Sequence, residues 1–190
     1  LVDEMLVRGT RGELTFPPGL VDPRPWKWAH FHVTPRFTNL IDLPFGWERA
    51  DRVARQQAHK AERAGFTCRR TGDLAEALAC LGGSQQRQGF AYGMTLDGLE
   101  LAARLMGPEA LRVYSCRASS GQPATARVIL HRPGARALDW MAGTRDEQLR
   151  SGATQQLLAF ALEDLHRAGA TAYDSCGADL EGVACAKLAW

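Results

Sequence analysis

The chain has 190 residues, 45% hydrophobic, 23% charged and 8% aromatic, with a formal net charge of +2 at pH 7. That balance excludes an intrinsically disordered chain, and no apolar run approaches the ~20 residues that a membrane-spanning helix needs. The length suits one domain with its own core, whereas two full domains would be a squeeze.

The chain opens on Leu1 without the basic-then-apolar pattern of a secretion signal, and Trp190 closes an uninterrupted apolar stretch. Both ends therefore read as cut. Residues 9–25, rich in Pro and Gly, read as loop. The aromatic and β-branched run 26–43 predicts one or two strands broken at Thr34-Pro35, with His30 and His32 on one strand face. Trp47–Ala64 predicts a helix between Pro44-Phe45-Gly46 and Gly65. On that helix Trp47, Ala50, Val53, Ala54, Ala58, Ala61 and Ala64 share one side, and Arg49, Arg52, Arg55, His59, Lys60 and Arg63 share the other. The charge of the chain concentrates here, since residues 45–70 carry seven basic and three acidic side chains. Such a stripe is either a solvated face or a surface for phosphates, on a nucleotide-linked substrate or a nucleic acid.

Residues 66–71 predict a short strand. Asp73 is set to cap a helix over 74–81 that Gly82-Gly83 ends, and Thr95 to cap another over 95–106 that Gly107-Pro108 ends. The period then changes to two. Segments 111–118, 124–131 and 135–142 predict a three-strand antiparallel meander, in which Ala124, Ala126, Val128 and Leu130 mark one buried face. Ser151 is a candidate N-cap for a helix whose face carries Leu157, Leu158, Ala161, Leu162 and Leu165 and which ends at Gly169. A short strand at 171–174 and a helix within 179–190 complete the order. The helix entry after the third strand is a place where backbone N–H groups can receive a pyrophosphate, although Ser151-Gly152-Ala153 lacks the spacing of a P-loop and on spacing alone reads as an ordinary capped helix.

The five cysteines, at 68, 80, 116, 176 and 185, match no zinc or disulfide framework and read as free thiols of a reducing cytoplasm. No metal is called for.

Four separated signatures, taken with the element order, resemble the FemAB/FemX-like branch of the GNAT acyltransferase superfamily. They are Thr38–Leu43 (TNLIDL), Arg52–Phe66 (RVARQQAHKAERAGF), Arg87-Gln88-Gly89-Phe90, and an ending from Gly152-Ala153-Thr154 through Asp174-Ser175-Cys176-Gly177 to Gly182-Val183 and Lys187. The resemblance covers roughly residues 31–190. Ala186 stands where the family has Phe, and Ala189-Trp190 where it has Phe-Gly.

The resemblance implies an α+β fold, a mixed and largely antiparallel GNAT-like sheet flanked by helices and incomplete at both ends. Residues 1–43 would be the tail of a preceding GNAT-like half, 44–65 a basic linking helix, and 66–190 an acyltransferase domain lacking its last strands. An unpaired sheet edge or apolar surface is then expected where those strands would lie. The implied activity is transfer of an acyl or aminoacyl group, from an acyl-CoA thioester or an aminoacyl-tRNA, to an amine acceptor such as a peptidoglycan precursor.

In that role Arg150, Ser151, Gly152, Ala153 and Thr154 would hold the donor, and Arg87, Arg52 and Arg55 an anionic acceptor. Lys187 would face the reacting carbonyl, with Asp174 and Tyr173 as candidate base and acid. Each has a plainer role beside it: Arg150 as a solvated residue, Lys187 as a surface lysine, Asp174 as a turn residue. The class also leaves room for a dimer. A different class of reading is a non-catalytic GNAT-like module that binds an anionic partner through helix 47–64.

Overall fold

The structure is a computed structural model that describes residues 14–16, 18–20, 22–88 and 93–190, with backbone only at 85–88. Among the described residues the α-helices and strands follow in the order α1 (Arg24–Trp28), β1 (Leu40–Asp42), α2 (Arg52–Arg63), β2 (Thr67–Thr71), α3 (Leu74–Gln88), α4 (Leu96–Met106), β3 (Leu111–Arg117), β4 (Pro123–Leu130), β5 (Arg136–Thr144), α5 (Ala153–Arg167), β6 (Ala172–Asp174) and α6 (Glu181–Leu188). The six strands form one sheet in the order β1-β6-β5-β4-β3-β2. Every neighbouring pair is antiparallel except β5 and β6. The mixed α+β class is as expected, and so is the meander.

The sheet is covered on both faces. On one, Leu157, Leu158, Ala161, Leu162 and Leu165 of α5 pack on Tyr114, Cys116, Ile129, Ala137 and Tyr173. On the other, Ala77, Cys80 and Leu81 of α3 and Leu99 of α4 pack on Leu111, Val113, Ala126, Val128 and Met141. Strands β3 and β4 are therefore buried on both faces, which corrects the one-faced reading of β4 and puts Arg127 inside. Alternation marks one buried face only where the other meets water, and a central strand between two helical layers has no wet face.

The alanine seam of α2 lies against α5, burying Ala54, Ala58 and Ala61. The helix starts later than its periodicity suggests. Trp47–Arg49 form a separate 3-10 turn, Ala50 is extended, and Asp51 caps α2 by accepting the Val53 N–H (3.1 Å). Trp47 and Val53 consequently stay exposed. The end of α6 docks at this break through Asp51 N–H to the Ala189 carbonyl (2.8 Å), with the Trp47 and Trp190 rings 5.6 Å apart.

Two further expectations change. Within 26–43 only Leu40–Asp42 is a strand, paired to β6, so His30 and His32 share no strand face; Arg24–Trp28 is helical instead, with Trp26 against Phe16 and Phe31. Aromatic and β-branched residues favour a strand only where a neighbouring strand runs in register beside them, and among the described residues of this run the regular ladder with β6 takes in three. The other change is α3, which runs through Gly82-Gly83 to Gln88. Glycine costs a helix about 1 kcal/mol, but Leu81 and Ser84 are buried and the Ser84 hydroxyl accepts the Thr144 N–H (3.2 Å), so packing on β5 outweighs that cost. The approach is close. A Cβ at Gly143 would lie 2.5 Å from the Cys80 carbonyl oxygen.

The sheet edge beside β6 is held by β1, and the opposite edge, β2, carries Arg69 and Arg70. β1 thus hydrogen-bonds within the same sheet as the strands of 66–190.

Candidate active site

The parallel pair β5/β6 lasts three registers, from Arg136 opposite Ala172 to Leu138 opposite Asp174. Beyond it the strands part. β5 continues to Thr144 along β4, with Trp140 bulged out between the Asp139–Ile129 and Met141–Val128 pairs. The chain after β6 instead follows residues 37–39, through Ser175 N–H to the Asn39 carbonyl (3.0 Å) and Ala178 N–H to the Phe37 carbonyl (2.7 Å). The sheet therefore opens at the carboxyl ends of its two parallel strands, the end at which the chain enters α5. Open sheets with parallel strands bind ligands at such a place.

Charged groups gather around this opening. Arg127 of β4 donates through Nη1 to Asp139 of β5 and to the Tyr173 hydroxyl of β6 (3.0 Å), a cluster shut in the core. Among the described residues, Asp139 Oδ1, Arg127 Nε and the Ser175 hydroxyl are buried without a hydrogen-bond partner. Burial pushes the Asp139 carboxyl up, opposed by the Arg127 guanidinium. Burial likewise raises the Tyr173 phenol well above its ordinary range, so it stays neutral.

Lys187 reaches in from α6. Its ammonium donates to the carbonyls of Ser175 (2.7 Å), Gly177 (2.8 Å) and Cys176, and burial lowers its pKa. The carbonyls converge because Cys176 and Gly177 both take positive φ, 45° and 54°. For a cysteine that is strained backbone. It is held by Asp174, whose carboxylate accepts the Cys176 N–H (3.0 Å) and the Thr38 hydroxyl and lies 3.7 Å from Arg136 Nε. Burial also lifts the Cys176 thiol to about 12.

The five residues expected to hold a donor come together at the start of α5. Gly152 occupies the cap position at φ 86° and Ser151 Oγ accepts the Ala153 N–H (3.2 Å). Gly152 is pressed on α2, where the Gln57 carbonyl leaves no room for a side chain. Lys60 donates to the Arg150 carbonyl (2.8 Å), and the Thr154 hydroxyl joins a chain through Thr144 (2.8 Å) and Thr125 (2.9 Å) to the Gly143 carbonyl. Arg150 itself is exposed. On α2, Arg52 is exposed, whereas Arg55 turns back onto the carbonyls of Trp47 (3.4 Å) and Glu48 (3.2 Å). Arg87 lies in α3, and its side chain falls outside the described residues.

Arg127, Asp139 and Ser175 were not singled out from the sequence. The available signal was a charged residue inside each of two apolar strands, ATARVIL and ALDWMAG, once both are central.

No protein-family model matches the chain, and none of the curated proteins matches it in sequence. Solved structures do. FemX is similar at TM-score 0.72 and 12% identity, covering 84% of this chain and 59% of its own. The C-terminal domain of a putative lysylphosphatidylglycerol synthetase from Agrobacterium fabrum is similar at TM-score 0.55 and 15% identity, covering 80% of this chain and 50% of its own. A tandem GNAT protein from the clavulanic acid biosynthesis pathway is similar at TM-score 0.52 and 15% identity, covering 92% and 57%. The fold is GNAT-like and shared with FemX, and the chain spans 50% to 59% of the length of these structures.

Proposed function

We propose that this chain is the donor-binding part of an N-acyltransferase, moving an acyl or aminoacyl group from acyl-CoA or aminoacyl-tRNA to an amine. The observation that carries this reading is the parting of β5 and β6 beside a half-buried lysine, on a fold shared with FemX and a tandem GNAT protein.

In this reading the donor's phosphates meet the α5 N-terminus near Arg150, where N–H groups and the helix dipole favour anions. The acyl carbon lies in the opening. The amine nitrogen bonds to it, the carbonyl oxygen takes negative charge, and the thiolate or ribose oxygen leaves as that charge collapses, while the amine proton passes to solvent or to the leaving group. With its N–H groups engaged by three carbonyls, Lys187 stabilises the oxyanion by charge rather than by a direct hydrogen bond. Asp174 and Tyr173 act as positioning residues: Asp174 holds the turn that cradles Lys187, and Tyr173 anchors Arg127. Arg52 and Arg87 are left for an anionic acceptor, for which a cell-wall precursor carrying an amine is the class that the FemAB/FemX-like sequence resemblance implies.

Two results are expected. Saturating coenzyme A or charged tRNA raises Tm by roughly 5 °C, and if neither does, the donor assignment fails. Lys187→Ala lowers turnover at least tenfold while the melting transition persists; full turnover in that variant would remove Lys187 from the site.

The exposed stripe Arg52, His59, Lys60 and Arg63 on α2 favours a second reading, an anion-binding module without catalysis. A steep fall of binding with salt and no acyl product would select it.

A further inference from the structure

Cys68 and Cys116 are directly opposed on the antiparallel strands β2 and β3. Their side chains share one face, Cys68 packing onto the apolar cluster that contains Cys116. Opposed residues of antiparallel strands have Cα atoms about 4.5 or 5.5 Å apart, and both separations fall inside the span that a disulfide bridges. The register of β3 against β4 also shifts at Cys116/Arg117, an irregularity that lets the strand adjust beside the sulfur. The other cysteines sit elsewhere: Cys80 in the cluster on the opposite face, Cys176 on the turn after β6, Cys185 exposed on α6.

We propose that Cys68 and Cys116 are a redox modification site, closing a reversible cross-strand disulfide on reaction with a small-molecule disulfide. Cys68 is half-buried on an edge strand and Cys116 is fully buried, so Cys68 reacts first. Its thiolate attacks one sulfur of the small disulfide and expels the first small thiolate. Cys116 then loses its proton, attacks the Cys68 sulfur of the mixed disulfide and expels the second. Two protein thiols are oxidised, one small disulfide is reduced to two thiols, and the two protons end on those thiols. The neighbouring thiol and burial both hold Cys68 in its thiol form, which makes closure slow at neutral pH and faster as pH rises. Closure also removes the thiol proton that Cys116 directs at Gln156 Oε1 (3.7 Å), leaving Gln156 tied to the Phe66 carbonyl (3.1 Å).

The test is incubation of the whole chain with oxidised glutathione, followed by tryptic peptide mass analysis without reductant. Cleavage after Arg63, Arg69, Arg112 and Arg117 puts the two cysteines on separate peptides. The expected product is those peptides joined, lighter by two hydrogens, with loss of both thiols and recovery by dithiothreitol. In Cys116→Ser, Cys68 instead keeps a glutathione cap. A wild-type chain that carries glutathione on Cys68 beside a free Cys116 overturns the proposal, as does linkage of either residue to a different cysteine, or survival of both thiols when diamide replaces glutathione.

Discussion

Gly152→Val is expected to cost about 3–5 kcal/mol and to leave little folded protein. Two independent penalties meet at this residue. Its φ of 86° is left-handed backbone that a β-branched side chain resists. The Cβ would also fall 2.0 Å from the Gln57 carbonyl oxygen, so α2 would have to lift off α5 and expose Ala54, Ala58 and Ala61. Gly177→Ala separates the two effects, because Gly177 has φ 54° but open space around it, and should lose only about 1 kcal/mol. Urea unfolding of both variants decides the matter: equal, small losses would mean that α2 does not press on the α5 N-terminus.

Removing the guanidinium of Arg127 should cost a similar amount. Arg127→Met leaves Asp139 buried without its ion-pair partner, a change worth about 3–5 kcal/mol. The carboxyl is already pushed above its ordinary value of 3.8 by burial, and the loss of the opposing arginine lets it rise further. The sign follows. Between 3.8 and the folded value the folded state holds a proton that the unfolded state has released. The variant is therefore most stable at acid pH and loses stability as pH rises through that window. Arg127→Met combined with Asp139→Leu should recover most of the loss, since no lone charge remains. Urea midpoints across pH measure this, and a variant whose stability climbs with pH over that range would contradict it.

Much of the fold was legible because its signals are local. Thr95 accepts the Gly98 N–H (3.2 Å) and Asp73 the Glu76 N–H (2.9 Å), as caps should, and the three strands of the meander appear where the period changes to two. Hydroxyl and carboxylate caps act on N–H groups two or three residues away, so spacing alone reveals them. The failures share a different cause. The run 26–43 looks like strand by composition, yet strand pairing there depends on β6, far later in the chain, with Asp42 opposite Ala172. Gly82-Gly83 looks like a terminator, yet the helix continues because β5 offers Gly143 as a landing place.

The same division runs through the site. Lys187, Asp174 and the α5 entry are candidates from residue type and order, by resemblance to FemX-like proteins. Their work is not legible there. That Lys187 spends its hydrogen bonds on the carbonyls of residues 175–177, and that Asp174 holds the strained turn, depends on two positive-φ residues and on Thr38 reaching across from another segment.

By itself the sequence determined the class of the protein: an α+β domain with a meander, a basic alanine-seamed helix and a glycine-containing entry to a late helix. These rest on periodicity and capping, which operate over a few residues. Only the tertiary structure decided which strands are central, and hence that Arg127 is buried with Asp139 and Tyr173 as its partners. It also decided where β5 and β6 part. Burial from both faces and strand divergence are set by neighbours far away in the chain, and no local pattern encodes them.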